Sequence, residues 1–115
     1  MKIEIKKNGR KIKIEVIRMG FFRRGIGLMF RGRNTKNLLF EFNKDVIITI
    51  TSYFCFFPFL VVWLDSKNNV VESKIIRPFV FSIRPSTKFR KLVEIPVNDK
   101  NKQKIAFFVG KHGKI

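Results

Sequence analysis

The stretch VIITITSYFCFFPFLVVWL, Val46–Leu64, carries no charged side chain. A run of that kind has two destinations, a lipid bilayer or the interior of a folded domain. A membrane-spanning helix needs about 20 predominantly apolar residues, so the length only just suffices. Val46, Ile47, Ile48, Thr49, Ile50 and Thr51 are all β-branched, and side chains stiff at χ1 favour strand over helix. Pro58 falls where a spanning helix would have its middle. Membrane helices tolerate proline there, so it weighs less than the β-branched series. Thr49, Thr51, Ser52 and Tyr53 dilute the hydrophobicity further. The flanks give no orientation: Arg31, Arg33, Lys36 and Lys44 precede the run, and Lys67, Lys74, Arg77 and Arg84 follow it, without the Lys/Arg asymmetry that sets membrane topology. The run is therefore read as two largely buried strands, about Ile47–Phe54 and Phe59–Leu64, joined near Pro58.

The N-terminal segment has the clearest local signal. KIEIKK and RKIKIEV flank Asn8-Gly9, the pair that suits a two-residue type I′ turn. That turn sets the register. Ile5 meets Ile12 and Ile3 meets Ile14 on one face, while Glu4 meets Lys13 and Lys2 meets Glu15 on the other, two opposite-charge pairs across the strands. Lys6 against Lys11 is the poor pair, and a one-residue slip would scramble the whole arrangement.

Further along, Gly20, Gly25, Gly27 and Gly32 interrupt MGFFRRGIGLMFRGRN, so a helix near residues 20–27 is short at most. NLLFEF reads as a strand, Asn43-Lys44-Asp45 as a turn, DSKNN as another turn, and VVESKII as a strand pairing back on Phe59–Leu64. Pro78 and Pro85 make RPFVFSIRPSTKF a loop. RKLVEIPV is a strand, NDKNKQK a polar turn, IAFFVG a last strand and KHGKI a basic tail. The expected fold is mostly β: one domain over residues 1–115, a small barrel or sandwich of about seven or eight short strands.

Composition narrows the partners. The chain has 25 Lys+Arg against 8 Asp+Glu, a net charge of +17 in 115 residues. Such a charge favours phosphate-rich or anionic-lipid partners and opposes self-association. Usage rich in Lys, Ile, Asn and Phe is also what biased codon supply produces alone, so the charge has a compositional reading beside the functional one. Cys55 is the single cysteine, which allows no internal disulfide and suits a reducing compartment. The opening MKIEIKKNGRKIKIEV alternates charged and apolar residues without a secretory apolar core, and the expected location is the cytoplasm.

Catalytic constellations are missing from the pattern. A zinc site needs three or four His, Cys or carboxylate ligands, and the chain offers one His, His112, in the tail. Cys55 has no histidine in sequence range, and Ser52 has only distant carboxylates. GIGLMF lacks the third glycine of a dinucleotide fingerprint and does not follow a buried strand. Gly25 and Gly27 read instead as close-packing positions, with Leu28 and Met29 entering the core. No cofactor is implied.

Four stretches carry a family resemblance: RGIGLMFR (Arg24–Arg31), LLFEF (Leu38–Phe42), FFPFLVVWLD (Phe56–Asp65) and RPFVFS with KLVEIP (Arg77–Pro96). In order and spacing the chain from about Phe21 to Val97 resembles DUF192, a family of small prokaryotic proteins of unknown function. The resemblance implies a compact, mostly β domain around a small barrel, and no activity. Arg24, Gly27, Pro58, Asp65 and Glu94 fit the family pattern. Members commonly have a polar residue ahead of the proline and an Asp two positions after it. Here those places read Thr51-Ser52-Tyr53 and Leu60, so a ligand site built on that family cluster would lack its carboxylate in this chain.

The basic cluster Arg18, Arg23, Arg24, Arg31 and Arg33 is interleaved with Phe21, Phe22 and Phe30. Arginine forks beside exposed aromatics bind phosphates and stack bases. The same residues also read as a solvated loop whose phenylalanines enter the core. The expected function is a non-enzymatic binding module for an anionic partner, nucleic acid or a phosphate-containing ligand, with Arg23, Arg24, Arg31 and Arg33 as contacts. One alternative is a small-molecule or enzymatic pocket at Thr51, Ser52 and Arg77. Another is membrane association through residues 46–64 or the basic surface.

Overall fold

The computed structural model describes residues 1–19, 32, 34–50, 55–80 and 82–109. Strands β1 (Lys2–Lys7) and β2 (Arg10–Glu15) form the N-terminal hairpin. Its register is the expected one throughout, from Lys2 opposite Glu15 to Lys7 opposite Arg10. Asn8 and Gly9 have φ of 51° and 78°, the two positive values that a type I′ turn requires.

A five-stranded sheet follows. It is built from β3 (Ile17–Arg18), β4 (Leu38–Val46), β5 (Phe59–Leu64), β6 (Val70–Ile76) and β7 (Phe89–Pro96), in the spatial order β3-β4-β7-β5-β6. β3 pairs parallel with β4, and every other pairing is antiparallel. A short 3-10 turn, Asp99–Asn101, leads into the helix α1, Lys102–Val109.

Two apolar layers lie on the two faces of this sheet. On the inner face, Leu39, Leu60, Val62, Leu64, Val93 and Ile95 pack against Ile3, Ile5 and Ile14 of the hairpin and Ile105 and Phe108 of α1. On the outer face, Leu38, Phe40, Phe59, Val61, Trp63 and Leu92 pack under Cys55, Phe57 and Ile83 from the loops. The hairpin runs on through Val16 into β3 at one edge and meets the other edge where the Lys6 N–H donates to Asn68 O at 2.9 Å. It thus wraps the inner layer as an open barrel whose ladder does not close.

β5 explains the apolar run. It lies between β6 and β7 and is buried along its whole length, and a strand covered on both faces reads as a continuous hydrophobic series rather than an alternation. Each large side chain buried there contributes about 1.5–3 kcal/mol. Among the described residues no helix is long and apolar enough to cross a membrane.

Three local expectations need correction. Asn43-Lys44-Asp45 is no turn: β4 continues to Val46, with a shift of register against β7 between Glu41 and Val46. The expected strand at Ile47–Phe54 is reduced, within the described residues, to one bridge between Ile50 and Ile83, and Ile47 and Ile48 are exposed. Within the expected strand IAFFVG, residues 105–109 are helical rather than extended. Asn98 accepts the Asn101 N–H on its side chain and starts the turn, and Ile105 and Phe108, three residues apart, both reach the inner core. That shared burial outweighs the modest strand preference of Ile, Phe and Val. The short helix considered near residues 20–27 and the packing of Gly25, Gly27, Leu28 and Met29 lie outside the described residues.

Candidate functional site

Chemistry-bearing groups gather on the outer face. Ile50, Cys55 and Phe57 after β4, and Val80 and Ile83 after β6, cover this side of the sheet, and the two loops are tied together by reciprocal backbone hydrogen bonds between Ile50 and Ile83 at 2.8 Å. The Ser86 N–H and hydroxyl both donate to Glu72 Oε1, at 3.0 and 2.8 Å, and pin the second loop to β6. These two bonds, with Lys74 nearby, hold the Glu72 carboxyl below its ordinary range.

Beneath the loops, Cys55 is 1% exposed and its thiol donates to Phe57 O at 3.2 Å. Burial pushes this thiol up, and the neighbouring Glu94 carboxylate adds to the shift. A protonated, enclosed thiol is a poor nucleophile. Glu94 is 6% exposed. Its cross-strand partners Leu38 and Val61 belong to the outer layer, so its side chain stands on that face too. Trp63 Nε1 is buried there with no acceptor among the described residues. No three His, Cys, Asp or Glu among the described residues form a group that could hold a metal ion.

Leu60 lies on the other side. It is fully buried in the inner layer between Ile75 and Ile95. The place where the resemblance implies an Asp therefore does not share a face with Cys55 or Glu94, and here it is a plain core position.

Of the residues singled out from the sequence, Arg23, Arg24, Arg31, Arg33, Thr51 and Ser52 lie outside the described residues. Arg77 is exposed immediately after β6. Beside it is a feature that sequence reasoning missed. Phe56 and Phe79 are 61% and 52% exposed, yet their rings touch edge to face, with centroids 5.4 Å apart and planes at 76°. Cys55 and Phe57 point inward, so Phe56 between them points out. Phe79 follows Pro78 in a turn and has φ 62°. In the type II turn that proline favours, that place belongs to glycine. Among the described residues the other non-glycine residues with positive φ are Asn8 and Asn68, a residue type that tolerates it. A bulky side chain there costs about 1–3 kcal/mol, and such outliers cluster at functional sites.

A separate polar recess of about 160 Å³ lies where hairpin, β4 and helix meet, lined by Asn37, Asn101, Lys36, Lys100 and Lys104 among others. Asn101 Nδ2 donates to Asn37 Oδ1 at 3.0 Å and to Pro96 O at 2.8 Å, while Asn37 Nδ2 donates to Glu15 O at 3.0 Å. Both donors of the Asn101 amide are used within the fold, which makes this network a clamp.

Two solved structures share the fold. One is a candidate transcription regulator from Sinorhizobium meliloti 1021, with 18% identity, a TM-score of 0.71, and coverage of 88% of this chain and 81% of that one. The other is a protein of unknown function from Novosphingobium aromaticivorans DSM 12444, with 15% identity, a TM-score of 0.67, and coverage of 89% and 76%. At these identities the likeness concerns the fold. No curated protein matches the chain. The model of DUF192, described as an uncharacterized ACR, matches residues 2–107. With nearly its whole length matched and the same mostly β architecture, the chain belongs to the DUF192 family.

Proposed function

We propose that this DUF192 domain is a non-enzymatic binding module for an anionic partner. The supporting observation is where the carboxylates are spent. Glu41 takes Arg18 at 2.6 Å and Lys91 at 3.8 Å, Asp45 takes Arg90 at 3.0 Å, and Glu15 takes the amino terminus at 3.1 Å. Asp65 and Glu72 accept hydrogen bonds from their own turn and from Ser86, and Glu94 is buried. With all eight acids counted, the chain still carries +17, so its field projects outward and draws in polyanions. Arg23, Arg24, Arg31 and Arg33 are the proposed contacts, with Arg77 beside them in role.

The test is a salt series on a labelled polyanion. Phosphate neutralisation releases counterions, so affinity should fall linearly on a log–log plot against salt. Arg24→Glu should weaken binding to all sequences alike and flatten that slope by about 1 or more. Negligible, salt-independent binding at low ionic strength would end this reading.

A further inference from the structure

We infer that Phe56 and Phe79 form a stacking platform for the unpaired bases of single-stranded nucleic acid, an inference that rests on the anionic-partner reading and names the partner. Among the described residues, Phe40, Phe57, Phe59, Phe89, Phe108 and Trp63 are buried, and Phe42 and Phe107 are half-buried. Phe56 and Phe79 break that habit together, at one place, in mutual contact. The backbone at Phe79 sits in a left-handed conformation that glycine would adopt without strain. Folding therefore sacrifices local comfort to hold a ring outward in a set orientation.

Orientation discriminates between partners. A planar base gains from a ring fixed before it arrives, because less freedom is lost on binding. Fluid acyl chains gain nothing from a fixed ring, and membrane-interface belts favour Trp and Tyr over Phe. A second copy of the chain is opposed by +17 on each partner. Single strands combine what this surface offers. Their phosphates answer the charge, and their bases present π-faces that duplex DNA keeps stacked inside. Exposed Arg77, two residues before Phe79, supplies a guanidinium for the backbone or for stacking.

The full chain is titrated by fluorescence anisotropy against an oligothymidylate, a duplex of equal length, heparin (a polyanion without bases) and phosphatidylserine vesicles, all at one ionic strength. The oligothymidylate should bind tighter than the duplex. Phe56→Ser and Phe79→Asn should each weaken it about 5- to 150-fold and leave heparin binding unchanged. Asn tolerates the positive φ at residue 79, so the turn survives, and matching thermal transitions check the fold. Phe79→Tyr should retain affinity. If neither heparin nor oligothymidylate binds, the anionic-partner reading fails and this one with it. If both bind and the Phe variants lose nothing, the stacking platform is overturned while the charge reading stands. Phe-dependent binding to vesicles but not to oligothymidylate also overturns it, with lipid as the occupant.

Discussion

Asn37 and Asn101, 64 residues apart in the chain, meet through a buried side-chain hydrogen bond of 3.0 Å. Asn101 reaches at the same time to Pro96 O, and Asn37 reaches to Glu15 O. Two amides thereby join the hairpin, the start of β4, the end of β7 and the entry to α1. Buried amides satisfied in this way hold one arrangement in place, because any other would leave a polar group without a partner.

Asn101→Ala removes that hub. Pro96 O and Asn37 Oδ1 would each lose a donor, at about 1–3 kcal/mol for an acceptor left buried. A total loss of about 2–4 kcal/mol should appear as a lower urea midpoint. Asn98→Ala, which removes the cap on the Asn101 N–H, should cost about 1 kcal/mol. Equal effects of the two variants would contradict the hub.

Leu60→Asp introduces the residue type that the family resemblance implies there, but it places a carboxylate in the sealed inner core. Leu60→Ala at such a site costs about 2–5 kcal/mol, and the charged variant should cost more, since a buried charge needs a partner. Equilibrium denaturation of the two variants decides this. An Asp variant as stable as wild type would mean the inner layer admits water.

Acid should destabilise the fold through two turn carboxylates. Partial desolvation works to raise the Asp65 pKa, but N–H groups of Asn69 and Lys67, the Asn69 side chain and the Lys67 charge together hold it below the ordinary value. Glu72 is held down by Ser86. A carboxyl depressed in the folded state stabilises fully above its unfolded pKa, near pH 4. That contribution disappears as pH falls through the lowered folded value. Melting temperatures followed below about pH 5 should decline less steeply in Asp65→Asn and Glu72→Gln than in wild type. Parallel acid limbs in all three proteins would refute the assignment.

Cys55 should resist thiol reagents in the native protein, because it is enclosed and its thiol is held protonated. Labelling with a disulfide reagent should proceed only as fast as the outer layer opens, and should become immediate in denaturant. Rapid stoichiometric labelling of the native chain would show that the outer layer does not enclose the thiol.

Features that depend on short-range chemistry were legible along the chain. The Asn8-Gly9 turn and the alternation around it specify a hairpin down to each cross-strand pair, since every interaction involved lies within fourteen residues. The apolar run likewise pointed to a buried strand at Phe59–Leu64, because the β-branched series before Pro58 favours strand over helix and a strand covered on both faces is apolar throughout. Asp65 and Asn69 marked their own turn. Only the tertiary structure decided the rest. IAFFVG became a helix because Ile105 and Phe108 find the inner layer at helical spacing, a choice made by strands far off in the chain. Ile47 and Ile48 lie exposed just past the end of β4, and within the described residues the expected strand pairs only through Ile50 and Ile83. Leu60 came to lie on the inner face, away from Glu94, through its pairing with Ile75 and Ile95. Phe56 and Phe79 look in the sequence like two more core phenylalanines. The turn at Pro78 brings them out and together, since burial belongs to the neighbours a side chain meets and not to the side chain alone.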